Sequence, residues 1–145
     1  MPVLEQVLEK YPEDVKVVFK NFPLRNHKFA MKAAVAALAA ESQGKFWEFH
    51  DLLFENYNKL NDQKIQDIAV AVGLNLEEYE KKKKDSAITR QVRQDLSDGQ
   101  KAGVRGTPTI FINGIRLRDR SLKGFQAAID KQLEKLGKAA TKPSS

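Results

Sequence analysis

Residues 103–114 read GVRGTPTIFING, the stretch of this chain whose residue types and spacing point most clearly to a chemistry. Pro108 lacks an N–H and locks φ, so it belongs at the first residue of a strand, at an edge or at a bulge. Thr109, Ile110, Phe111 and Ile112 follow it as a β-branched and aromatic run, which reads as a buried strand. Asn113-Gly114 is a strong hairpin signal, with Ile115-Arg116-Leu117-Arg118 alternating beyond it. From the residues alone, the Thr107-Pro108 step reads as a rigid entry into the strand.

Groups for covalent chemistry are missing. The chain has no cysteine, which removes disulfides, thiolate metal ligands and thiol catalysis together. His27 and His50 lie far apart with no metal-ligand pattern around them. His27 follows Pro23-Leu24-Arg25-Asn26 and reads as a loop residue. His50 falls on a helix beside Trp47 and reads as a packing group. Neither a glycine-rich phosphate loop nor a serine-histidine-acid set can be picked out. No catalytic residue, metal site or cofactor is therefore expected within these residues.

The elements that would position the Thr-Pro step are legible from periodicity. Val3, Leu4, Val7, Leu8 and Tyr11 keep helical spacing over 2–11, and Val15–Phe19 (VKVVF) reads as a strand. An all-helical excursion follows. An Ala-rich helix over 29–41 is expected to be buried, and 45–57 carries Phe46, Trp47, Phe49, Leu52, Leu53 and Phe54 as a broad core face. Asn61 caps a helix over 62–72 ended by Gly73, Asn75 caps one running into Lys81–Lys84, and Ser86 caps one carrying Ile88, Val92 and Leu96. After the hairpin, Ser121 caps a helix over 122–136 that Gly137 stops.

Composition bounds the partners. At 145 residues, 41% hydrophobic and 30% charged, the chain can bury one sizeable core. No apolar run reaches the roughly 20 residues of a membrane span. No signal peptide is visible either, so the chain as written would stay in the cytoplasm. The net charge of +6 keeps an acidic partner open. Yet Lys81–Lys84 reads as a solvated helix face, and Arg116, Arg118 and Arg120 as the wet face or exposed edge of a strand. Nucleic acid is the minor reading.

In this order the elements resemble the DsbA-like branch of the thioredoxin superfamily, thiol:disulfide oxidoreductases with a helical domain inserted into a thioredoxin fold. PVLEQVLEKYPEDVKVVFKNFPL is similar to that family's first core helix and following strand. AAVAALAAESQGKFWEFHDLLFEN resembles the start of the inserted domain, and GVRGTPTIFINGIRL the cis-proline loop with its hairpin. The resemblance implies an α/β fold with residues 1–28 and 104–137 as a thioredoxin-like core, 29–103 as the helical insertion and 138–145 as a disordered tail. It also implies a cis Thr107–Pro108 bond, Gly106, Thr107 and Pro108 as the substrate-facing loop, and protein or peptide substrates.

The chain departs from that pattern at one place. Family members begin with a β-strand and a Cys-x-x-Cys, and Met1 here stands partway along the first helix. Two accounts follow: a piece of a longer oxidoreductase whose parent works outside the cytoplasm, or a cysteine-free relative that keeps only the binding groove. Either way the chain is expected to be redox-inactive. A sheet lacking its first strand is expected to be closed by rearranged pairing, or by a strand or helix exchanged between copies.

Overall fold

The computed structural model describes residues 2–24 and 27–137, so the expectation for the tail at 138–145 lies outside the described residues. In chain order the elements are α1 (Pro2–Lys10), α2 (Ala30–Glu41), α3 (Phe46–Glu55), α4 (Asp62–Ala71), α5 (Leu76–Lys83), α6 (Ser86–Lys101), β1 (Phe111–Ile112), β2 (Ile115–Arg116) and α7 (Leu122–Lys135). They form two compact units, Met1–Phe19 with Thr107–Ser145, and Lys20–Gly106. The sequence reading set its boundaries at 28/29 and 103/104, where the helical spacing starts and stops. The chain's contacts divide at 19/20 and 106/107.

In the first unit α1 and α7 pack on the hairpin. Val7 and Tyr11 meet Phe125, Ile129 and Leu133, spaced four apart along α7, and Val15, Ile110, Ile112 and Leu117 close over them. The buried Tyr11 hydroxyl donates to Asp130 Oδ1 at 2.8 Å. Burial and that carboxylate push the phenol pKa up to about 12. Ser121 caps α7 by accepting from the Gly124 N–H at 3.2 Å. Only glycine fits at 124, because a Cβ there would collide with the Asp119 carbonyl.

Three expectations change in this unit. Val15–Phe19 joins no ladder, although half-buried Val15 and Val17 alternate with exposed Lys16 and Val18 at strand period. Among the described residues the ladder joins two strands, β1 and β2, and does not extend to Val15–Phe19. Among the described residues no rearranged pairing closes the sheet. The strand expected over 109–112 shortens to Phe111–Ile112, and Phe111 is 39% exposed rather than buried.

The second unit is the helical insertion. Ala36, Ala39 and Ala40 of α2 are fully buried, and their small side chains let Phe49, Leu53, Ile65, Ile68 and Tyr79 approach closely. Asn61 and Asn75 cap α4 and α5 by accepting from Lys64 N–H and Glu78 N–H. Asp85, not Ser86, caps α6: its carboxylate accepts from the Ala87 N–H, and Ser86 is already helical. The face expected to be core on α3 is split. Phe49 and Leu53 are buried, whereas Trp47 and Phe54 are 45% and 58% exposed. They flank His50, whose ring lies 5.4 Å from that of Trp47 and 4.6 Å from that of Phe54.

A polar clamp in the same unit was not foreseen. Asp95 on α6 is 3% exposed. Its Oδ2 accepts from Asn21 N–H at 2.9 Å and from Asn21 Nδ2 at 2.8 Å, and its Oδ1 accepts from Gln91 Nε2 at 2.7 Å. One turn further along α6, Gly99 leaves room for the Phe22 ring, which a Cβ would approach to 2.7 Å. Residues 21–22 are thus seated on α6 by one carboxylate and one glycine.

Candidate functional site

The loop singled out from sequence ends in a short hairpin. Asn113 and Gly114 take φ of +48° and +82°, the left-handed pair a two-residue turn requires. Register follows from it: Ile112 faces Ile115 and Phe111 faces Arg116. Leu117 N–H donates to Ile110 C=O at 2.8 Å, which carries the pairing one step beyond the strands. Side chains alternate accordingly. Ile110, Ile112 and Leu117 reach the core cluster, and Phe111, Arg116 and Arg118 lie on the other, exposed face.

Thr107 and Pro108 are both exposed, and the peptide bond between them is cis. Arg120 Nη1 donates to the Pro108 carbonyl at 3.0 Å, a brace across twelve residues of chain. Gly106 closes the second unit; it is half-buried, and a Cβ there would meet no atom within 4 Å. Of the three residues expected at the site, Thr107 and Pro108 thus sit together at the head of the hairpin. Arg120 was missed as part of it. Its signal was the Arg116, Arg118, Arg120 alternation, which reads equally well as surface decoration.

The remaining chemistry-bearing groups lie elsewhere. His50 is buried among aromatic rings; burial lowers its pKa, opposed by Asp51, whose Oδ1 is 3.4 Å from Nδ1. Among the described residues the buried Tyr79 hydroxyl has no hydrogen-bond partner, and burial pushes its pKa up to about 12. Among the described residues no cluster of three or more His, Asp or Glu is placed to hold a metal, and none of their helices is long and apolar enough to cross a membrane. The chain has no thiol.

The chain as a whole is similar to known proteins. The pattern of the family described as Thioredoxin matches residues 2–131. The Na(+)/H(+) antiporter NhaA 1 of Mycolicibacterium vanbaalenii is 34% identical over 116 residues, covering 78% of this chain and 19% of the antiporter. NhaA 3 of Salinispora tropica is 34% identical over 116 residues, covering 79% of this chain and 18% of the antiporter. The chain therefore spans less than a fifth of the length of these curated relatives. Among solved structures, the thiol-disulfide exchange protein alpha-DsbA2 of Wolbachia pipientis superposes with a TM-score of 0.76 at 22% identity, over 90% of this chain and 72% of that one. The chain belongs to the thioredoxin family, and its fold is like that of the thiol-disulfide exchange protein.

Proposed function

We propose that this chain is the polypeptide-holding part of a DsbA-type thiol:disulfide oxidoreductase, and that its own residues bind without redox chemistry. The observation that carries the reading is the exposed Thr107–Pro108 step, braced by Arg120, at the head of a hairpin whose second strand pairs, among the described residues, only with the first. Pro108 offers no N–H, so the loop's backbone contacts to an extended substrate are assigned to Thr107. Thiol–disulfide exchange begins with a thiolate attacking a disulfide sulfur. A chain without cysteine has nothing to attack with, so the exchange step belongs to cysteines outside these 145 residues.

The substrates of such a parent are proteins, and its work belongs in a compartment where disulfides persist. The antiporter match brings a thioredoxin-like segment to this chain and not ion exchange. A second reading, a cysteine-free binding module with no redox parent, is favoured by the same absence of thiols. The intact mass of the product in its own cell separates the two.

The test of the main reading has two arms. The 145-residue chain should leave insulin unreduced in dithiothreitol beyond the uncatalysed rate, and turnover above that rate would refute the thiol-dependent reading. The chain should also bind unfolded polypeptide, and Pro108→Ala should weaken that binding with the helical circular dichroism unchanged. Equal binding by the variant would reduce the loop to a strand start.

A further inference from the structure

The hairpin register decides which backbone groups face outward. Leu117 N–H bonds Ile110 C=O, so 110/117 is a hydrogen-bonded pair, and 112/115 beside the turn is the next. Phe111/Arg116 is then a non-bonded pair, in which the N–H and C=O of Arg116 point away from β1. The same parity turns the backbone groups of Arg118 outward. Among the described residues β2 has no neighbour but β1, so this edge is unpaired.

The side chains along it are all of one sign. Arg116, Arg118 and Arg120 are exposed, and among the described residues no ion pair joins any of them to a carboxylate. The acid nearest in sequence, Asp119, is turned to Ser121, accepting from its N–H at 3.0 Å. An edge of unpaired backbone carrying arginines at every second position is complementary to one kind of partner.

We propose that the outer edge of β2 takes an extended polypeptide with acidic residues at alternate positions. The incoming strand pairs with the backbone of 116–118, and its glutamates or aspartates fall opposite Arg116 and Arg118, the cross-strand arrangement that opposite charges favour. Arg120, held at the Pro108 carbonyl, extends the positive row toward the loop. The inference rests on the reading of this hairpin as polypeptide-binding and adds the class of sequence it selects.

The experiment is fluorescence anisotropy of the 145-residue chain with a labelled (Glu-Thr)4 octapeptide, its (Gln-Thr)4 analogue and an oligo(dT) octamer. The acidic peptide is expected to bind about tenfold or more tightly than the neutral one, with affinity falling as salt is raised. Arg116→Gln and Arg118→Gln should each cost roughly a two- to fivefold loss, the worth of an exposed ion pair. Equal binding of both peptides, lost together in Pro108→Ala, would overturn the acidic preference and leave the loop reading standing. Acidic-peptide binding unchanged in Pro108→Ala but weakened in the arginine variants would uphold the edge and remove the loop. Equal binding of the DNA octamer would overturn strand pairing in favour of a general polyanion surface. Binding of none of the probes, with the chain dimeric by sedimentation, would overturn the proposal in favour of a second copy on this edge.

Discussion

Replacing Asp95 with alanine tests the clamp that seats residues 21–22 on α6. The carboxylate takes two hydrogen bonds from Asn21 and one from Gln91, and Asp95 and Asn21 are 3% and 4% exposed. Removing it strands the Asn21 backbone N–H and side-chain amide away from water. An unsatisfied buried donor costs about 1–3 kcal/mol. The Lys20 ammonium adds little, being 3.9 Å away on a side chain 61% exposed. The expected loss for Asp95→Ala is therefore roughly 3–5 kcal/mol, against a total stability of about 5–15 kcal/mol for a domain. Asp95→Asn keeps one accepting oxygen and should lose about half as much. Trp47 is the chain's single tryptophan and lies in the same unit as the clamp, so its fluorescence in urea reports the right transition. An Asn21→Ala/Asp95→Ala cycle should give a coupling of about 1–3 kcal/mol. A loss below about 1 kcal/mol for Asp95→Ala, with an unchanged denaturant slope, would refute the argument that Asn21 depends on this one acceptor.

The remaining predictions test other parts of the structure. Ser121→Ala removes the acceptor for Gly124 N–H and should cost about 1 kcal/mol in urea unfolding, whereas Ser86→Ala, which deletes no cap, should be nearly neutral. Gly124→Ala should be worse than Ser121→Ala, by roughly 1–3 kcal/mol of overpacking, because the added methyl meets the Asp119 carbonyl. Tyr11 and Tyr79 both have pKa values raised from 10.0 to about 12 in the folded state. Their contribution is full below pH 10 and is lost as pH rises through about 12, so urea midpoints should hold to pH 10 and then fall together with the appearance of buried tyrosinate absorbance. Arg120→Ala removes the donor to the Pro108 carbonyl and should weaken peptide binding measured by anisotropy, with thermal stability unchanged because the side chain is exposed.

What the sequence made legible was local. Helical spacing found α1 and α7, and capping chemistry placed Asn61, Asn75 and Ser121 where the structure has them. Asn113-Gly114 set the hairpin register outright. Failures came where the outcome depends on a partner elsewhere in the chain. Val15–Phe19 has the pattern of a strand, but a ladder needs a second strand, and pattern alone supplies none. Trp47 and Phe54 lie on the opposite side of α3 from Phe49 and Leu53, and with apolar residues on both sides only tertiary packing decides which side is covered. Asp95 sits between Gln94 and Leu96 with nothing local to mark it; its partner Asn21 is 74 residues away. At the candidate site Thr107 and Pro108 were visible because proline is locally decisive. Arg120 was not, because an exposed arginine twelve residues off is indistinguishable from solvent decoration until the chain is folded.

Two strands of two residues each are too little sheet to be stable alone, so α1, α7 and the Tyr11–Asp130 bond must hold the hairpin in place. That division of labour leaves the outward backbone of Arg116 and Arg118 free of any structural duty. A polypeptide strand added there extends the ladder, and by mass action it stabilises whatever conformation it binds. At a peptide concentration a hundredfold above the dissociation constant that gain is about 2.7 kcal/mol. The hairpin should then exchange its amide hydrogens more slowly in the presence of (Glu-Thr)4, with protection strongest at Arg116 and Arg118, whose N–H groups point outward. Protection spread evenly over the chain would mean that the peptide stabilises the fold without lying on this edge.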